Sequence, residues 1–454
     1  MTRIRRSIAG RTVPRSLWLA TTFSSALGVV ACGSSSSSDG GVGGASSGSG
    51  APGGGALAGG SALAGGGASA NAGSPSGDGG KPSGAGSTST AGGSTAGGGS
   101  AQAGAGAAVS GAGSAQAGAS SGGGSAQAGA PSVAGEPPSC APGGPGMNSC
   151  GPDGKESCCT SLPVAAGTFS RTYANTGSGA TGKGDPATIS AFRLDKYEMT
   201  VGRLRQFVNY LAAGGALPAA GSGKHTHLNA GKGLADSGKS GSFEPGWDSG
   251  WNSNLPTGAN AVATWTKNLA CSTYGTWSAT AGNNETLPIT CLDWYEAHAF
   301  CIWDGGFLPS QAEWEYAAAG GDEQRMYPWG STDPGTDSKY AMYDCYYPTG
   351  KPGNCTSLAN IAKVGTASMG GGKWGQLDLS GSVWEWDLDV YIAKPDNPCT
   401  DCAHLTGGTD RVLPGGGFHT GLMPFMLSSS RTSLNYATTY RGDYGVGVRC
   451  ARTP

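Results

Sequence analysis

The run from Gly33 to Ala134 consists almost entirely of glycine, alanine and serine, and it decides where this chain can fold. Side chains of this kind have almost no surface to bury. The segment therefore cannot offset its own ordering entropy. GSAQAGA recurs from Gly99, Gly113 and Gly124, a period too short and irregular for packed repeats. Residues 33–138 are expected to form a disordered tether, with a coil dimension of roughly 50–60 Å. Any hydrophobic core must come from residue 139 onward.

The residues ahead of the tract suggest what is tethered. Arg3, Arg5, Arg6, Arg11 and Arg15 precede the short apolar run Leu17–Ala31. That run suits a secretory signal better than a spanning helix. It ends VVAC, and the polar tract begins directly after Cys32. Residues 1–32 resemble a bacterial lipoprotein signal peptide, which implies lipidation of Cys32 and attachment to a membrane. Ordinary signal cleavage is the alternative. Arg5-Arg6 fits a twin-arginine signal poorly. The expected location is the bacterial cell envelope, as an outer-membrane or other exported lipoprotein.

Cysteine usage agrees with export. Besides Cys32 there are twelve cysteines, from Cys140 to Cys450. An even set in an exported chain reads as disulfides, with the pairing left open. Cys399-x-x-Cys402 has no second cysteine or histidine pair to complete a zinc site, so it too reads as a disulfide. The net charge is −2 and there is no basic stripe, which excludes nucleic acid as a partner.

Four cysteines crowd residues 139–161, read as a stapled collar on a main domain over residues 162–454. Three stretches predict helices. Val201, Leu204, Phe207, Val208 and Leu211 follow Thr200 as N-cap, with Gly214 as terminator. Asp293 with Glu296, and Ser310 with Glu313, form capping boxes before helices that stop at Gly305 and Gly320. Elsewhere, short aromatic or β-branched runs are cut by Gly, Pro, Asn and Asp. The class is α+β, low in regular secondary structure and stabilised by disulfides.

FRLDKYEMTVGRLRQFV, LPITCLDWYEAHAFCIWDGGFLPSQAEWEYAAAGG, YPWG, LDLSGSVWEW, RVLPGGGF and GVRCAR occur in that order. Together they resemble the formylglycine-generating enzyme family, or sulfatase-modifying factor domains, from about Pro163 to Arg452. The resemblance implies a fold related to C-type lectins. It also implies oxidation of a sulfatase cysteine by oxygen, on a copper ion held by two cysteines. Soft thiolates select Cu(I). In the family these cysteines lie three and eight residues beyond a serine. Here Gly417 replaces the serine, and Thr420 and Phe425 stand at the cysteine positions. No cysteine lies between Cys402 and Cys450 to rescue the site, so no copper is expected.

His225-x-His227 and His419 could in principle supply three imidazoles, against the simpler reading of a polar loop. His298 and His404 read as structural. The resemblance implies a structural calcium at Asp378, Gly381, Val383 and Glu385, a donor set suited to a hard cation. The alternative is that Glu385 caps or salt-bridges locally. A second family calcium position, at Asn360-Ile361, lacks its acidic loop.

Two functions compete. One is a non-catalytic or repurposed binding module for an exported protein, peptide or glycan. Trp247, Trp251 and His419 are its candidate ligand residues, with Trp265 and Trp277 nearby. Core packing is the heavier reading for these tryptophans. The alternative is a formylglycine-generating or other metal-dependent oxidase acting on exported proteins. No motif supports a hydrolase.

Overall fold

The computed structural model describes residues 137–141, 148–353, 355–421, 423–430, 434–442 and 445–454. The expected signal peptide, Cys32 and the tether up to residue 136 lie outside the described residues, as does Leu422.

In chain order, the strands β1 (Ser161–Val164), β2 (Gly167–Asn175), β3 (Ala180–Ile189) and β4 (Phe192–Asp195) come first. Helix α1 (Val201–Ala212), strand β5 (Ala235–Asp236) and helices α2 (Ala261–Asn268), α3 (Trp294–Trp303) and α4 (Gln311–Ala319) follow. The rest is loop and short strand: β6 (Trp384–Glu385), β7 (Cys399–Thr400), β8 (Cys402–Ala403), β9 (Asp410–Leu413), β10 (Leu434–Ala437), β11 (Val446–Gly447) and β12 (Ala451–Arg452). The strands form small sheets. β4 lies between β1 and β12, antiparallel to both. β3 lies between β2 and β7, and β9 pairs with β10. β6 with β11, and β5 with β8, are parallel pairs.

The helix starts are chemically specified. Thr200 accepts the Arg203 amide at the start of α1. Both capping boxes form, on Asp293/Glu296 and on Ser310/Glu313. Gly320 stops α4 in the left-handed conformation (φ 66°), which glycine adopts without steric cost. Helix α2 was not expected from the sequence. It has no side-chain cap, and its formation rests on burying Ala261 and Trp265.

The main core packs α1, α2 and α3 against the 384–388 segment. A second core lies between β2, β3 and α4 around Phe169, Phe192 and Trp314. Trp247 and Trp265 are fully buried in the main core, so Trp247 presents no ligand surface. This outcome follows the core-packing reading of the tryptophans.

Twelve cysteines form six disulfides: Cys140–Cys159, Cys150–Cys158, Cys271–Cys291, Cys301–Cys450, Cys345–Cys355 and Cys399–Cys402. Cys301–Cys450 ties α3 to the residue before β12. Beside it, Arg203 and Arg452 both bind Asp195 and Asp304 at 2.5–3.0 Å, a buried square of two acids and two guanidiniums. The Ser139 amide donates to Asp304 and the Ser139 hydroxyl accepts from Arg203, each at 3.0 Å. Paired in this way, the charges offset much of their desolvation cost. Burial would raise the Asp195 carboxyl, but Arg452 and Arg203 hold it below the ordinary carboxylate range.

Candidate functional site

Strand β9 runs into Pro414 and the turn Gly415-Gly416-Gly417. Gly415 (φ 97°) and Gly416 (φ 76°) occupy backbone conformations that L side chains rarely adopt. Hydrogen bonds stitch the turn to the 380–385 loop: Gly381 N–H to the Gly415 carbonyl at 2.8 Å, and Phe418 N–H to that of Ser382 at 2.7 Å. Gly417 is glycine for space rather than conformation. A Cβ there would stand 3.0 Å from the Trp384 ring.

The two positions that would hold copper are filled by other chemistry. The Thr420 hydroxyl accepts the Gly417 amide at 2.9 Å, and the Thr420 amide donates back to the Gly417 carbonyl at 2.8 Å. The Phe425 ring packs edge-on against Trp384, with centroids 5.4 Å apart. Every described cysteine is in a disulfide, so none presents a thiolate to Cu(I). The residues present do not fit a copper ion.

Asp378, Gly381, Val383 and Glu385 do share one buried loop. Arg449 takes Glu385 through both carboxylate oxygens, at 2.7 and 2.6 Å, and Trp314 Nε1 donates to Glu385 at 2.8 Å. The Val383 amide and the Ser382 hydroxyl donate to Glu198, at 3.0 and 2.8 Å. Asp378 accepts the Gly365 amide at 2.5 Å, and burial pushes its carboxyl up to about 6. Burial, with Asp378 and Glu385 adding repulsion, raises Glu198 well above its ordinary range. The guanidinium of Arg449 stands where a cation would meet Glu385. Glu385 is thus engaged in a local salt bridge, the alternative to its holding a calcium ion.

The three histidines do not converge either. Among the described residues, no group of three or more His, Cys, Asp and Glu side chains could hold a metal ion. His419 packs beside Phe418, and burial pushes it down to about 4. His225 is fully buried between two carboxylates, with Nδ1 3.0 Å from Glu244 and Nε2 3.1 Å from Glu313. Burial would discharge it, but Glu313 and Glu244 raise it to about 10, making it a buried imidazolium.

Beside this triad is a second feature, a cavity of about 100 Å³. Trp251, Trp294, His298, Leu388, Glu244 and Arg411 line it. His298, on α3, is enclosed by indoles, with ring centroids 4.9 Å from Trp294 and 5.3 Å from Trp247. Neither of its buried nitrogens has a hydrogen-bond partner. Burial pushes it down to about 3 against the pull of Glu244, so the ring is neutral. The Arg411 guanidinium lies 4.1 Å over Trp294 and donates to the Leu388 carbonyl at 2.6 Å, while its Nε is unpaired. One Glu244 oxygen serves His225 and the Leu234 amide; the other is buried and unpaired. Trp251 is the one sequence-proposed ligand residue that lines this cavity. Glu244 and Arg411 are not among the residues the sequence marks, and His298, structural by its sequence context, lines the cavity. The conspicuous signals were buried-type polar residues among tryptophans, but nothing in their spacing relates Glu244, His298 and Arg411.

The family described as sulfatase-modifying factor enzyme 1-like domain matches residues 147–454, and the chain belongs to that family. It is similar to the formylglycine-generating enzyme of Thermomonospora curvata, 31% identical over 192 residues, covering 39% of this chain and 61% of the relative. It is also similar to the inactive C-alpha-formylglycine-generating enzyme 2 of Mus musculus, 32% identical over 105 residues, covering 23% and 33% of the two chains. Among solved structures, PvdO from Pseudomonas aeruginosa aligns at 19% identity with a TM-score of 0.39, over 66% of this chain and 100% of that one. The matches thus span less than two thirds of either curated relative.

Proposed function

We propose that this protein is a non-catalytic, repurposed member of its family: a binding module displayed at the cell envelope. The observation that carries the reading is the replacement of the copper ligands. Thr420 closes a hydrogen-bonded turn, Phe425 fills space against Trp384, and the described cysteines are spent on disulfides. Neither a hydroxyl tied into a turn nor a phenyl ring can hold Cu(I). That one similar protein is itself named an inactive C-alpha-formylglycine-generating enzyme is in keeping with this reading. In this reading a lipid on Cys32 holds the domain to a membrane and residues 33–138 give it reach. Its partners are exported proteins, peptides or glycans.

The test is a formylglycine assay on a sulfatase-motif peptide with copper supplied. No aldehyde is expected. Turnover would overturn the proposal and establish a metal-dependent oxidase with altered ligands. Anchoring is tested separately, by fractionating cells that express Cys32→Ala. The variant should leave the membrane fraction.

A further inference from the structure

We infer that the cavity between α3, the 244–251 loop and β9 is a binding site for a small zwitterion of the amino-acid type. This deepens the binding-module reading and rests on it. The walls carry one fixed charge of each sign. Arg411 supplies a guanidinium with an unpaired Nε and no carboxylate within ion-pairing distance among the described residues. Glu244 supplies a carboxylate with one oxygen buried and unpaired. Between them, Trp251 and Trp294 give flat apolar walls, and the His298 imidazole leaves both nitrogens unspent.

Buried polar atoms without partners are costly, and native interiors keep few of them. Here the residues that carry them, from three separate parts of the chain, line one space. They include a fully buried side chain, His298. A carboxylate placed against Arg411 and an ammonium against Glu244 would satisfy both charges at once. The neutral imidazole can then either donate to or accept from the ligand. A purely apolar ligand would leave these atoms unspent, and a lone anion would leave the second Glu244 oxygen, the one His225 does not reach, without a donor. At about 100 Å³ the space admits a small amino acid and excludes a large side chain.

The experiment is isothermal titration of the mature domain, with its disulfides intact, against glycine, alanine and β-alanine. Acetate and methylammonium, each carrying one of the two charges, are the controls. Saturable binding of at least one zwitterion is expected, with both controls at least roughly tenfold weaker. Arg411→Gln and Glu244→Gln should each weaken that binding by roughly tenfold or more. Should either variant misfold, Leu405→Trp gives a second test, because it fills the cavity from its partly buried edge. That variant should abolish binding while preserving the circular dichroism spectrum. The assignment is overturned if no zwitterion binds, if acetate or methylammonium binds equally well, or if the folded variants retain wild-type affinity. The formylglycine assay is read independently. Zwitterion binding with peptide turnover would sink the non-catalytic reading and keep the site. Absence of both would sink the site and keep the non-catalytic reading.

Discussion

The glycine turn and the tryptophan-lined cavity have opposite polar accounts. At the turn, Thr420 and Gly417 satisfy one another, and Phe425 covers Trp384. Among the described residues there, the Trp384 indole N–H is left without a partner, and it faces a gap too tight for a side chain on Gly417. Across the domain, Glu244, His298 and Arg411 all keep unspent hydrogen-bonding atoms around open space. Family position points to the first region and unsatisfied chemistry points to the second. An inherited site can be closed by ordinary packing, whereas a site in use leaves polar atoms waiting for a partner.

Substitutions should separate the two. The largest effect belongs to His225→Gln, which leaves Glu244 and Glu313 buried without their shared cation. A loss of about 3–5 kcal/mol is expected by chemical denaturation. A loss below about 1 kcal/mol would mean that His225 is not charged.

The same group sets a pH dependence. The folded-state value of His225, about 10, lies above the unfolded value of about 6.5. Its stabilisation is therefore complete below the unfolded value and fades as pH rises through about 10. His298 acts in the opposite sense. Its folded value of about 3 means that stability falls as pH drops below about 6.5, where the unfolded ring takes a proton. Thermal unfolding across pH should lose the acid limb in His298→Phe and the alkaline limb in His225→Gln.

On the turn side the effects are smaller. Phe425→Ala should cost about 1–3 kcal/mol, because the ring is only partly buried, and should leave zwitterion affinity unchanged. Coupled loss of affinity would show that the two regions are not independent. Thr420→Val should cost about 1 kcal/mol by stranding the Gly417 amide. Smallest of all, a chelator should move Tm by less than about 2 °C, since Arg449 already answers Glu385. A larger shift would reinstate calcium at the 378–385 loop.

What was legible in the sequence was what is local. Asp293 with Glu296 and Ser310 with Glu313 lie three residues apart, so both capping boxes could be read directly. The replacement of the copper ligands was legible by position. Helix α2 was not, because only tertiary burial of Trp265 supports it. Disulfide partners up to 149 residues apart could not be paired from spacing. The cavity escaped for the same reason. Glu313 was identified as a helix cap, yet nothing local reveals that its carboxylate also holds the imidazole that positions Glu244. The calcium expectation rests on a local loop, whereas the salt bridge that engages Glu385 comes from Arg449, far along the chain.

The nested pair Cys140–Cys159 and Cys150–Cys158 has a consequence for integrity of the chain. A single cut anywhere between residues 141 and 158 leaves the two fragments covalently joined through sulfur. With Ser139 also bonded to Asp304 and Arg203, the joint works as a clasp. A protease nick there would not release the domain from whatever precedes it, and release would require a reductant as well as a blade.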